Sequence, residues 1–221
     1  MRICCLHTAL SNAEIFDLAA SRLGIPGLAL EHRVRADLLE AAEAAGGLTP
    51  TIQRDTADAL VELSRSFDAV LLTCSTLGPA AAVADAMALA PVLRVDTALA
   101  REATAAAGKV VVLCAVRTTV DATLQTFNEA AARTGADVRI HLVDDAWDHF
   151  KAGDIDAYLA IIADAARAQQ QSSKCVVALA QASMAGAAEY FPVEQRPLTS
   201  PTSGLLAAVA AARNRAKQGS A

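Results

Sequence analysis

The residue types best suited to chemistry gather around one thiol. Cys74 follows the apolar run Ala69-Val70-Leu71-Leu72 and Thr73. It precedes Ser75-Thr76 and an alanine-rich stretch that reads as a helix starting close behind. A thiol near a helix N-terminus has its thiolate stabilised by the helix dipole and the free amides. Such a thiolate can take a proton from a carbon beside a carboxylate, or attack an electrophilic carbon. The same apolar setting also suits an inert buried cysteine. Cys4, Cys5 and Cys114 lie within or at the ends of apolar runs and Cys175 begins one, so these four read as core thiols.

Hydroxyls, histidines and arginines supply the other candidates. Thr118-Thr119 open a helix after the run Lys109–Cys114, and Ser75-Thr76 are placed in the same way. Hydroxyls beside free backbone amides suit a carboxylate or phosphate, and equally an ordinary helix cap. His7 and Thr8 end the first apolar run. His32, Arg33 and Arg35 fall in a polar segment that can arch over a ligand, where Arg33 or Arg35 would grip a carboxylate with two hydrogen bonds. His141, Asp144, Asp145 and His149 are near one another but match no metal motif, and read as a strand end and a helix cap. No cysteine pair has metal-ligand spacing, and no glycine pattern marks a dinucleotide site or P-loop. Neither a metal nor a cofactor is expected.

The elements that must hold these residues follow from periodicity. Short apolar runs alternate with long alanine-rich segments, the rhythm of βα units and a parallel sheet. Strands are expected at Arg2–Leu6, Gly27–Leu30, Asp68–Thr73, Pro91–Val95, Lys109–Cys114, Asp137–Leu142 and Lys174–Ala180. Helices are expected over 12–23, 53–66, 79–89, 97–107, 119–134 and 154–170. Ser11 and Glu14 have capping-box spacing, and Thr49-Pro50 reads as a cap followed by proline at the first helical position. The plan runs twice: strand, Thr73-Cys74-Ser75-Thr76, then a helix; and again strand, Ala180-Gln181-Ala182-Ser183, then Met184-Ala185-Gly186-Ala187. The implied fold is α/β, with two similar open parallel-sheet, flavodoxin-like domains in pseudo-two-fold relation and a cleft between them. Ligands of open α/β sheets bind outside the carboxyl ends of the strands. The crossings are placed near Asp96 and Pro197. Residues 1–96 with 198–221 would then carry Cys74, and residues 97–197 would carry Thr118, Thr119 and Gln181.

Composition narrows the function classes. The 221 residues are 54% hydrophobic and 19% charged, which provides a core and excludes disorder. A net charge of −5 without a concentrated basic face argues against nucleic-acid binding. Residues 1–20 lack a signal peptide's apolar centre, and the apolar stretch Leu77–Leu93 is broken by Pro79, Asp85 and Pro91. Five cysteines in an acidic chain without a secretion signal read as reduced thiols of the cytoplasm. The expected partner is a small carboxylate or amino-acid-like substrate, with no membrane partner and room for a homo-oligomer.

At Leu71-Leu72-Thr73-Cys74-Ser75-Thr76 the chain resembles the aspartate/glutamate/hydantoin racemase superfamily, in which an apolar strand ends in Cys-Asn/Ser-Thr. Pro91-Val92-Leu93-Arg94-Val95-Asp96, Val110–Cys114 with Thr118-Thr119-Val120, and Leu179-Ala180-Gln181-Ala182-Ser183-Met184-Ala185-Gly186 extend the likeness. Pro197 through Ala212 resembles the closing strand and helix that return to the first domain. The resemblance implies a cofactor-independent enzyme that moves a proton beside a carboxylate or carbonyl. Cys74 would be the first thiol. Ser75, Thr76 and Thr119 would bind the substrate carboxylate, with His7 and Thr8 at the first strand end. Thr118, Ala182 and Ser183 line the matching second-half positions, and Arg33 stays a candidate contact.

The second thiol is absent. Gln181 stands at its position, and an amide does not exchange protons usefully near neutral pH. Cys175 begins the same strand six residues earlier, roughly 20 Å away at about 3.3 Å per residue. Two-thiol racemisation is therefore not expected. Three readings follow. The first is a one-thiol isomerase or decarboxylase in which Cys74 works on one face and Gln181 binds the substrate or a developing enolate. The decarboxylases of the superfamily keep their single thiol in the second half, whereas here it lies in the first. The second is a racemase with a non-thiol base, His7 or Asp96. The third is a carboxylate-binding protein without catalysis.

Overall fold

In the computed structural model, which describes residues 1–106 and 108–219, the apolar runs become two four-stranded parallel sheets. The first holds β1 (Arg2–His7), β2 (Ala29–Val34), β3 (Ala69–Leu72) and β4 (Val92–Arg94), in the spatial order β2-β1-β3-β4. Its connecting helices are α1 (Ser11–Leu23), α2 (Ala36–Ala44), α3 (Pro50–Ser64) and α4 (Pro79–Asp85). After α5 (Val95–Ala103) come β5 (Lys109–Cys114), α6 (Val120–Ala131), β6 (Asp137–Leu142), α7 (Ala146–Lys151), α8 (Ile155–Ser172), β7 (Val176–Leu179) and β8 (Leu198–Thr199). This second sheet has the order β6-β5-β7-β8. The helix α9 (Ser200–Gly219) ends the chain.

Each unit repeats one scheme. Residues 1–95 with those from Gly204 onward form the first, and Asp96–Ser203 the second. The second crossing lies beyond Pro197 because Leu198–Thr199 pairs with β7 in the second sheet. In both units the central strands are buried on both faces, which is why they read as unbroken apolar runs. On one face of the first sheet, Leu6, Val70 and Leu72 pack with Leu38 and Ala42 of α2 and with Ile52 and Leu60 of α3. On the other, α9 comes close over Gly204, where a Cβ would lie 2.8 Å from Val95 and 3.2 Å from Leu71. The second sheet is covered by Tyr158 and Ile162 of α8 against Leu113 and Leu179, and by Leu99 of α5 and Phe127 of α6 against Val112 and Ala178.

Several local expectations are corrected. The second strand is Ala29–Val34, not Gly27–Leu30. It is an edge strand, so polar residues such as Glu31 and Arg33 alternate outward and break the apolar run that would mark it. Ser11 does not cap α1; Leu10 takes the cap position and no side chain bonds there. Thr49 does cap α3, accepting from the Ile52 amide at 3.3 Å with Pro50 at the first turn. α2 and α7 were not expected. Ala107, the last residue of the helix expected over 97–107, lies outside the described residues, as do residues 220 and 221 of the first domain's expected range.

Candidate functional site

Parallel sheets of this order change direction between the first and third strands, and ligands bind at that switch point outside the carboxyl ends. In the first unit the switch point lies between β1 and β3. His7 ends β1, and Thr73-Cys74 follow β3. Cys74 is half-buried. The turn Ser75–Gly78, closed by the Gly78 amide on the Ser75 carbonyl at 3.0 Å, separates it from α4. The helix begins at Pro79, the start expected from the sequence, and Ser75–Gly78 hold its dipole away from the sulfur. Another source of positive potential replaces it. Among the described residues, the N–H groups of Cys74, Ser75, Thr76 and Leu77 donate to no acceptor. Successive free amides of this kind form an anion-binding concavity. Arg94, at the end of β4, lays its guanidinium over the same turn, with Cζ 2.5 Å from where a Cβ on Gly78 would sit.

Beneath the turn lies a chain of polar contacts. Thr73 Oγ1 is 2.8 Å from His7 Nδ1, His7 Nε2 is 2.8 Å from His32 Nδ1, and His32 Nε2 is 3.1 Å from Asp17 Oδ1. The backbone dictates this line-up. Cys5 pairs with His32 across β1 and β2, so His32, Cys5 and His7 share the sheet face that α1 covers. Thr73 continues the β3 register beside His7. One proton arrangement meets every contact with both rings neutral: Thr73 O–H donates to His7 Nδ1, His7 Nε2–H to His32 Nδ1, and His32 Nε2–H to the Asp17 carboxylate. The Leu6 carbonyl, 3.1 Å from Thr73 Oγ1, is the alternative acceptor for that hydroxyl. His7 is fully buried, and burial lowers its pKa from 6.5 to about 4, with His32 adding to the effect and Asp17 opposing it. Its two ring nitrogens are engaged by Thr73 and His32.

Cys5 Sγ and these ring nitrogens lie within 4.8 Å of one another, a grouping of metal-ligating types. A tetrahedral metal with bonds of about 2.0–2.3 Å holds its ligand atoms roughly 3.3 Å or more apart, with their lone pairs turned to one point. The rings oppose each other instead. Their centroids are 5.1 Å apart and their planes 20° from parallel, so they lie edge to edge, separated by the 2.8 Å contact plus two ring radii. The contact is a hydrogen bond. Burial raises the Cys5 pKa far above its ordinary value, which keeps it a neutral thiol.

The second unit's switch point, between β5 and β7, is built differently. Gln181 follows β7 as Cys74 follows β3, two residues past the buried Leu179 and Leu72. Its Oε1 accepts from the Ala115 amide at 2.8 Å, and its Nε2 donates to Thr119 Oγ1 at 3.1 Å. Thr119 Oγ1 in turn donates to the Val116 carbonyl at 2.8 Å. Both hydroxyl and amide are engaged inside the unit. Thr118 is exposed on the short turn before α6. Ser183 Oγ is 2.9 Å from the hydroxyl of buried Tyr158, and Ala182 is half-buried beside it. Cys114, buried at the end of β5, occupies the place that His7 holds on β1. Burial raises its pKa; hydrogen bonds from Gln181 and Thr123 oppose that.

The remaining candidates disperse. Arg33 is exposed, with Nη2 3.3 Å from Glu31 of its own strand, and Arg35 grips Asp37 through two nitrogens. The segment expected to arch is strand up to Val34, with Arg35 at the cap of α2. Thr8 is half-buried in the bend after β1. Arg117 pairs with Asp144 at 3.1 Å, and Asp145 takes a left-handed conformation (φ 63°) at the start of α7. Cys175 lies at the amino end of β7, its Sγ 3.6 Å from the Gln169 carbonyl. Sequence reasoning missed Asp17, His32 and Thr73 as one group, since no spacing in the chain reveals a cross-strand register.

The fold is that of the racemase and isomerase structures of the aspartate/glutamate/hydantoin type. An allantoin racemase from Klebsiella pneumoniae superposes with a TM-score of 0.65 over 95% of this chain and 86% of its own, at 16% identity. An aspartate racemase homologue from Pyrococcus horikoshii gives 0.66 over 96% and 99%, at 12% identity. A maleate cis–trans isomerase variant from Nocardia farcinica, solved with a covalently bound succinylcysteine intermediate, gives 0.58 over 94% and 92%, at 13% identity. No family model matches the sequence, and no curated protein matches it. Among the described residues, no helix is long and apolar enough to cross a membrane.

Proposed function

We propose that the protein is a cofactor-independent enzyme of the aspartate/glutamate/hydantoin racemase superfamily, and that it uses the single thiol Cys74 to move a proton on a small carboxylate. The observation that carries this reading is the turn after β3. A half-buried cysteine stands at the switch point, and the four amides from Cys74 to Leu77 donate to nothing among the described residues. A carboxylate seated on those amides brings its neighbouring carbon to the sulfur, and the same amides stabilise the enolate that forms when that carbon loses a proton. Ser75 and Thr76 add hydroxyls to this cradle. Within the second unit, Gln181 shapes the loop that presents Thr119.

With one thiol the proton leaves and returns on one face. The products are therefore a double-bond isomer, or a decarboxylated acid protonated stereospecifically, in preference to a racemate. The Nocardia structure lends the isomerase branch its support: a maleate cis–trans isomerase of the same fold holds a covalently bound succinylcysteine intermediate. The reaction takes place in the cytoplasm, where the thiol stays reduced.

Proton NMR in D2O tests this. The protein is mixed with maleate, malonates, amino acids and hydantoins, beside Cys74→Ser and Gln181→Cys variants. Isomerisation, or deuterium entry at one face, that disappears in Cys74→Ser supports the reading. Racemisation by wild type overturns it, because a second base must then exist. Ligand-induced stabilisation that survives Cys74→Ser, with no turnover of any compound, favours a carboxylate-binding protein instead.

A further inference from the structure

A thiol that works alone must exchange its proton with solvent while substrate covers it, so it needs a path behind the site. We propose that Asp17, His32, His7 and Thr73 form a proton relay connecting bulk water to the turn that carries Cys74. The inference rests on the one-thiol reading for its purpose, although the relay is measurable without any substrate.

Three features of the chain of contacts suit conduction. It is unbroken, with links of 2.8, 2.8 and 3.1 Å. It starts in water at the Asp17 carboxylate, whose side chain is 65% exposed, and runs inward past His32 at 17% to a fully buried His7. Its interior ring stays neutral, and a neutral imidazole accepts at one nitrogen while it donates at the other. A merely structural histidine needs no second histidine and carboxylate in series.

Proton removal balances from the arrangement described above. Thr73 is half-buried at the switch point, so an acidic group there can give a proton to Thr73 Oγ1 as the Thr73 O–H passes its own to His7 Nδ1. His7 Nε2–H then passes one to His32 Nδ1, and His32 Nε2–H passes one to the Asp17 carboxylate. No heavy-atom bond changes, and one negative charge moves from Asp17 to the group that lost its proton. Both rings are left as their Nδ1–H tautomers, and from that state the same chain runs backward to deliver a proton.

The deciding measurement is the exchange of the His7 and His32 ring N–H protons with water, read by nitrogen-15-edited NMR on the full-length protein near neutral pH. The Asp17→Asn variant keeps a polar side chain at the surface but removes the group that can ionise. A relay predicts slower exchange in this variant, on the order of tenfold. Unchanged exchange overturns the relay. So does faster exchange, which is what a loosened structural hydrogen bond gives. In a Cys74-dependent reaction, Asp17→Asn should lower kcat with KM unchanged, and added imidazole should restore turnover to His32→Ala. An active protein whose kcat ignores both variants also overturns the relay. If no compound is turned over by wild type, the one-thiol reading falls alone, since the ring exchange rates still decide whether the relay exists.

Discussion

The two switch points share a backbone and differ in what their polar groups are left to do. In the first unit, the strand-end residue is a thiol, four consecutive amides have no acceptor among the described residues, and the neighbouring strand ends in a histidine linked by hydrogen bonds to the surface. In the second unit, the equivalent residue is an amide that satisfies the Ala115 N–H and the Thr119 hydroxyl, and the neighbouring strand ends in a buried neutral cysteine. A scaffold that repeats itself thus engages its polar strand-end groups internally in the second unit and leaves a half-buried thiol at the equivalent place in the first. The difference rests on a few side chains, because both sheets supply the same strand order and the same position beyond a buried leucine.

The largest way to break this contrast is at Cys74. Cys74→Ser should reduce turnover by about 10²–10⁴-fold while leaving the denaturation midpoint unchanged, as measured by initial rates of deuterium incorporation beside a urea titration. Gln181→Cys attacks the contrast from the other side, and appearance of racemisation would show that the second switch point lacks only its thiol.

A second test uses pH. The folded value for His7, about 4, lies below its ordinary 6.5, so the unfolded chain takes up this proton first as pH falls. Stability from neutral His7 is present in full above about pH 6.5 and is lost between about 6.5 and 4, by on the order of 3 kcal/mol. Urea midpoints recorded across that window should fall for wild type and much less for His7→Gln. At the equivalent place Cys114 stays a neutral thiol throughout, so a Cys114→Ala protein should keep the wild-type slope.

Smaller effects sharpen the comparison. Gln181→Leu leaves the buried Ala115 N–H without an acceptor and should cost about 1–3 kcal/mol in urea unfolding. Alkylation of Cys74 by iodoacetamide should keep its rate in that variant, because Gln181 lies in the other unit. Least of all, Arg33→Ala should change stability by about 0–1 kcal/mol and activity not at all, since it loses only exposed contacts with Glu31 and the His32 carbonyl. A large rise in KM for Arg33→Ala would reinstate it as a carboxylate grip.

The legible parts of the molecule are those in which local pattern and burial coincide. The strand Lys109–Cys114 has five buried residues in succession, and the sequence shows the same apolar run. The edge strand Ala29–Val34 hid behind Glu31, His32 and Arg33, because none of its residues is fully buried and no apolar run marks it. Cys74 was visible from its place after such a run. How the turn between it and α4 closes was not, since Ser75-Thr76 reads equally as a cap and as a loop. Gln181 was recognisable as a lost thiol, but its two internal hydrogen bonds were not.

The amino-acid sequence by itself determined the two-pass α/β plan and the position of the one strand-end thiol, because both follow from hydrophobic periodicity and residue order along the chain. Only the tertiary structure decided that His7 would be buried against Thr73, that His32 would reach back to Asp17, and that Arg33 would turn outward to Glu31. Those outcomes depend on which residues face one another across β1, β2 and β3 and on which helix covers that face. Such a register is set by the packing of the whole sheet, and no spacing along the chain encodes it.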